Sequence, residues 1–142
     1  MRTAAPMHLG PMASRVLVID DHKDMLESLQ RVFATWGYQV EGAASGTSGL
    51  TAFFARPPDV VLLDLVLPDI KGCEIIRRMR TALRDVLIIA YSGYEELLPL
   101  ALSAGADSSV LKPNVGGLKD VLYIQGALGA WRSRARGDST VH

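Results

Sequence analysis

The sequence has almost no cysteine, no net charge and no long apolar run. Cys73 is the single cysteine among 142 residues, which excludes an internal disulfide framework and fits a reducing compartment. With no second Cys or His pattern beside it, Cys73 reads as a small, half-buried side chain. Fifteen Lys and Arg balance fifteen Asp and Glu, so no global field recruits nucleic acid and any function must sit in a local site. No stretch approaches the ~20 apolar residues that span a bilayer, and no membrane association is expected. The opening MRTAAPMHLGPMAS carries one Arg, two prolines and no apolar centre, so it does not resemble a secretion signal. A cytoplasmic protein is expected.

What is present is an alternation. VLVI (Val16–Ile19) reads as a buried strand, followed by a helical stretch with Met25, Leu26, Leu29, Val32, Phe33 and Trp36 on one face. An Asp24-x-x-Glu27 capping box is expected to open that helix and Gly37 to close it. YQVEGA is a weaker strand, and TSGLTAFFA a short helix stopped by Pro57-Pro58. DVVLLD, VLIIAY and SSVLK are further strands; between and after them lie CEIIRRMRTAL, LLPLALSAG and GLKDVLYIQGALGAW, the last with Leu118, Val121, Leu122, Gln125 and Leu128 near one stripe. Five strands alternating with five helices predict an α/β domain whose parallel sheet is covered on both faces. The expected division is a flexible leader over 1–13, one domain over 14–131, and a flexible basic tail over 132–142.

In such a sheet ligands bind beyond the carboxyl ends of the strands, and right-handed crossovers bring all those ends to one edge. Strand one ends in Asp20-Asp21, strand three in Asp64, strand four in Ser92-Gly93 and strand five in Lys112-Pro113. Each has a structural explanation as a cap, a turn or a solvated loop; as a set they suit one chemistry. Three crowded carboxylates raise one another's pKa values unless a cation is shared, and oxygen ligands select a hard ion such as Mg²⁺, or Mn²⁺. Asp64, kept ionised, is then a nucleophile for phosphorus, with Lys112 neutralising a phosphoryl oxygen and Ser92 donating a hydrogen bond to another. His22 follows the acid pair and reads as a solvent-facing loop residue.

The segments VLVIDDH, DVVLLDLVLPDIKG, VLIIAYSG and GADSSVLKP strongly resemble the receiver domain of bacterial two-component response regulators, over roughly Arg15 to Leu128. The resemblance implies a flavodoxin-like (βα)5 fold with strand order 2-1-3-4-5. It implies Asp64 as phosphoacceptor from a sensor histidine kinase or histidine phosphotransfer protein. Asp21 would be a direct Mg²⁺ ligand, Asp20 would act through water, and the Val66 carbonyl would complete the protein's share. Ser92, with Gly93, would be the hydroxyl switch, and Lys112 the phosphate partner. No turnover of a separate substrate is expected of such a domain. Because little follows Trp131, no direct DNA binding is expected either, and the chain would act as a monomer or weak dimer on a downstream protein the sequence does not name.

Three departures from the family pattern stand out. Ser109 lies three residues before the lysine, where receivers usually carry Tyr or Phe. The fourth helix is expected to start near Leu98, because Pro99 is tolerated only in a first turn, and to be short. Val66 and Tyr94 occupy positions where polar residues often place the attacking water, which implies slow hydrolysis of the acyl phosphate. The competing readings are an interaction module with a vestigial pocket and a Mg²⁺-dependent phosphatase; adjacent Asp20 and Asp21 point different ways, which counts against the second. A nucleotide-binding reading fails because DDHKD stands where a Gly-rich turn belongs.

Overall fold

The computed structural model describes residues 14–83 and 85–128. The expected leader and basic tail lie outside the described residues. Strands β1 (Arg15–Ile19), β2 (Gln39–Ala43), β3 (Val60–Leu63), β4 (Leu87–Ser92) and β5 (Ser108–Leu111) alternate with helices α1 (Lys23–Thr35), α2 (Gly46–Ala55), α3 (Gly72–Ala82), α4 (Leu98–Ala104) and α5 (Val115–Leu128). All strands are parallel and ordered β2-β1-β3-β4-β5, as the resemblance implies. Among the described residues no helix is long and apolar enough to cross a membrane.

Strand alternation splits the core in two. Leu17, Ile19, Val61, Leu63, Ile88 and Ala90 face one way, onto Phe53, Ile75, Ile76 and Met79 of α2 and α3. Val16, Val18, Leu62, Ile89, Tyr91 and Val110 face the other way, onto Leu29 and Phe33 of α1 and Leu118 and Leu122 of α5. Central strands β3 and β4 are buried throughout, which is why they read as unbroken apolar runs. The edge strand β2 alternates exposed and half-buried residues before it reaches buried Ala43.

Helix ends depart from the sequence expectation in one place. The Asp24-x-x-Glu27 capping box does not form: the N-cap is His22, two residues before Asp24, and no side chain caps it. Asp24 instead stands inside the first turn, where its charge complements the helix dipole. The close at Gly37, with φ of 99°, is as expected. Helix α4 has seven residues with Pro99 in its first turn, after a 3₁₀ turn at Glu95–Leu97, so the short fourth helix is also as expected. Arg80 ties α3 to the start of β5, donating to the carbonyls of Gly105 and Val86 and to Asp107 at 2.6 Å.

The loop after β3 is clamped to α2. Asp69 accepts from the N–H groups of Gly46 and Thr47 at 2.9 and 2.8 Å and from the Thr47 hydroxyl at 2.6 Å. Ser45 and Ser48 form a reciprocal capping box at the same helix end. Hydrogen bonds from the Thr47 side chain, then the Thr47 and Gly46 backbone, hold the Asp69 carboxyl well below the usual carboxylate range. A depressed folded-state pKa contributes stability that is present above the unfolded value of 3.8 and is lost as pH falls from there. Asp69→Ala is therefore expected to lower the urea midpoint at pH 7, with the gap to wild type narrowing as pH drops below 3.8. A gap independent of pH would contradict this assignment.

Candidate functional site

Alternation that builds the core also builds the site. The stripe Val16, Val18 continues into Asp20, Val60, Leu62 into Asp64, and Val110 into Lys112, so all three polar groups extend the same face of the sheet. Hydrogen bonds hold these strand ends in place: Asp64 N–H donates to the Ile19 carbonyl and Lys112 N–H to the Ser92 carbonyl, both at 2.9 Å. The Lys112–Pro113 bond is cis. Gly72 is required by a close approach, since a Cβ there would stand 2.5 Å from the Leu65 Cα; this fixes the chain that follows Asp64.

Lys112 Nζ lies 2.8 Å from Asp20 Oδ2 and 3.3 Å from Asp64 Oδ2. Asp20 is 1% exposed and Asp64 6%, so the shorter pair is the deeper one. Asp64 Oδ1 also accepts from the Val66 N–H at 3.3 Å. Burial pushes the Asp64 carboxyl up; Lys112 pulls it down and the Asp20 charge pushes it up again, for a net rise. Burial alone would lower the Lys112 ammonium, but the Asp20 hydrogen bond and the Asp64 and Asp20 charges outweigh it, and its pKa is raised. The two directions agree physically: the lysine is shared, closer to Asp20 than to Asp64, so the Asp64 charge is only partly compensated.

An open cleft of about 640 Å³ lies above this arrangement, walled by Asp21, Asp64, Val66, Gly93, Tyr94 and Lys112 among others. Asp20 and Ser92 lie at the same sheet edge but are buried beneath the cleft rather than in its wall. The Ser92 oxygen accepts from the Tyr94 N–H at 3.1 Å, which leaves its proton free to donate. Asp20, Asp21, His22 and Asp64 each offer a ligand atom within 4.8 Å of the others. Three carboxylates against one ammonium leave two negative charges uncompensated, a donor set and charge suited to a hard divalent cation.

Ser109 pairs with Ala90 on the face turned toward α2–α4, so β5 presents no aromatic ring there. The sequence reading missed Tyr91, which is 1% exposed on the opposite face with Lys112 Nζ 5.8 Å from its ring centroid. Its signal was the register, since Tyr91 stands between the columns ending in Asp64 and Lys112. The reading also placed His22 in solvent; its side chain is 73% exposed, yet its Nδ1 lies 3.4 Å from both Asp20 and Asp21.

Residues 16–122 match the family model of the response regulator receiver domain. The chain is 40% identical over 99 residues to the transcriptional regulatory protein KdpE of Mycobacterium tuberculosis, covering 69% of this chain and 44% of that protein. It is 35% identical over 104 residues to the response regulator MprA of a Mycobacterium species, covering 72% and 45%. The fold is similar to that of the response regulator TrrA of Thermotoga maritima, solved in complex with Mg²⁺ and BeF (TM-score 0.72, 32% identity, 77% and 96% covered). It is equally similar to a CheY-like receiver domain protein of Methanospirillum hungatei (TM-score 0.71, 29% identity, 79% and 95% covered). The chain thus spans about half the length of the curated relatives it matches. The expectation of no direct DNA binding is corrected: a relative at this identity is a transcriptional regulatory protein, and shortness after Trp131 carries no conclusion about output.

The raised Asp64 pKa sets a stability prediction. Its ionised form is disfavoured in the fold, a cost absent below the unfolded value of 3.8 and complete above the raised folded value. Asp64→Asn is expected to melt higher than wild type at pH 7 in metal-free buffer, with the two curves converging as pH falls below 3.8. A variant less stable than wild type at pH 7 would overturn it.

Proposed function

The chain belongs to the response regulator receiver domain family of two-component systems, and from this we propose that it accepts a phosphoryl group on Asp64 and signals through that modification. The observation that carries the proposal is the Asp64 carboxylate, nearly buried, at the floor of an open cleft with its nearest cation already paired to Asp20. Such a carboxylate gains from attack on phosphorus, because the reaction converts a disfavoured anion into an acyl phosphate whose charge lies outward in the cleft.

Asp21, Asp64 and the Val66 carbonyl would hold Mg²⁺ or Mn²⁺ directly, with Asp20 acting through water; the ion supplies charge neutralisation for the phosphoryl oxygens. The chain's own residues do the rest. An Asp64 oxygen attacks phosphorus as the bond to the donor breaks, the donor being a phosphohistidine of a kinase or phosphotransfer protein. Lys112, within reach of Asp64, turns its ammonium to a phosphoryl oxygen. Ser92 donates its free proton to another. No separate substrate is turned over, and a cytoplasmic location goes with the reading. The vestigial-pocket alternative has no support in the geometry of the described residues, since the acids and the lysine meet.

Intact-protein mass after incubation with Mg²⁺ and acetyl phosphate tests the proposal. One phosphoryl group on the wild type and none on Asp64→Asn is the expected result; no adduct on the wild type, or an equal adduct on both, would overturn it.

Lifetime provides a second test. Val66 and Tyr94 are 46% and 53% exposed at the cleft wall, where neither aliphatic nor phenol ring orders an attacking water as a carboxamide or carboxylate would. The adduct is expected to persist for minutes or longer after donor removal and to decay faster in Val66→Asn. Decay within seconds in the wild type would contradict this.

A further inference from the structure

The geometry points to His22 as a ligand of the divalent ion in this cleft, giving an otherwise oxygen-only site a nitrogen donor and a preference for borderline ions over Mg²⁺. The inference rests on the metal-binding part of the reading above.

His22 Nδ1 stands 3.4 Å from Asp20 Oδ1 and 3.4 Å from Asp21 Oδ1. Two donors at that separation, each ~2.1 Å from a shared ion, subtend an angle of about 110°, the tetrahedral value for zinc-type coordination. The ring's place is set by its backbone. His22 N–H donates to Asp20 Oδ1 at 2.9 Å, and its carbonyl accepts from Leu26 N–H at 2.9 Å as the first bond of α1. The residue is therefore pinned on both sides at the helix start, and Nδ1 faces the acids while most of the side chain remains in solvent. Asp64 offers a further oxygen in the same cluster.

The rival explanation is a protonated imidazole acting only as a counter-ion to Asp20 and Asp21. The two differ in what they do to metal selectivity. A counter-ion competes with every divalent cation alike. A neutral imidazole ligand favours Zn²⁺ or Co²⁺ and gives little to Mg²⁺, which prefers carboxylates, carbonyls and water.

The test uses the full chain, wild type and His22→Ala, titrated separately with Mg²⁺ and Co²⁺ by calorimetry, and loaded with Mn²⁺ for electron spin-echo detection of coordinated ¹⁴N. Loss of the ligand is expected to weaken Co²⁺ binding by about tenfold or more while changing Mg²⁺ binding by less than about twofold, and to abolish the ¹⁴N modulation. His22→Gln, which keeps a polar side chain at the helix start, is expected to behave as His22→Ala does. An equal change for both ions, or a ¹⁴N signal absent from wild type or retained in the variants, overturns the inference. Mg²⁺ binding with no nitrogen signal sinks the His22 assignment alone; failure of the wild type to bind any divalent ion sinks the metal part of the proposed function with it.

Discussion

One lysine serves three carboxylates at the end of the sheet, and the shortage organises the site. Lys112 sits closer to Asp20 than to Asp64, and Asp20 is the more deeply buried. Burying two unpaired anions would be prohibitive, so the deep one takes the ion pair and the shallower one keeps an unfavourable charge beside an open cleft. Asp21, at the surface of the same cluster, adds to the deficit. A carboxylate in that position suits a shared cation, which links the electrostatics to the acyl phosphate chemistry proposed for Asp64.

The fold delivers this arrangement with little local specialisation. Alternation along β1, β3 and β5 sends Asp20, Asp64 and Lys112 out on the face that carries Val18, Leu62 and Val110. Ladder hydrogen bonds past the strand ends then fix their heights. The loop beyond Asp64 is held twice, by the backbone contact at Gly72 and by Asp69 on the start of α2. On the far side Arg80 fixes the approach to β5. Asp20, Asp64 and Lys112 are thus carried at the ends of paired strands, and the exposed part of the cleft includes Val66, Tyr94 and Asp21.

Much of this was legible in the sequence, for definite reasons. Fully buried strands leave continuous apolar runs, so β3 and β4 and the polar residues that end them stood out, and parallel order followed from the alternation with helices. Pro99 located the start of α4 because its ring tolerates only a first turn. Other features left no such trace. The start of α1 follows a local turn in which Asp20 accepts the His22 N–H, an Asx-type bond two residues long, whereas the Asp24-x-x-Glu27 pattern matched a cap that α1 does not use. Asp69 and Arg80 act across 23 and 27 residues of sequence, beyond any local periodicity. That Ser92 and Asp20 lie under the cleft rather than in it is a matter of depth, which strand ends alone do not encode. The exclusion of DNA contact failed because a domain's length says nothing about the relatives that share it.

The central claim is that Lys112 compensates the Asp64 charge only in part, and the titration of Asp64 tests this most directly. A ¹³C-carboxyl NMR titration of the metal-free chain, with Asp64 assigned by comparison with Asp64→Asn, would give its pKa without reference to any downstream event. The account predicts a value above the ordinary 3.8, moving down when Mg²⁺ is added. A value at or below 3.8 in the metal-free chain would mean that Lys112 already satisfies Asp64, and would contradict the account.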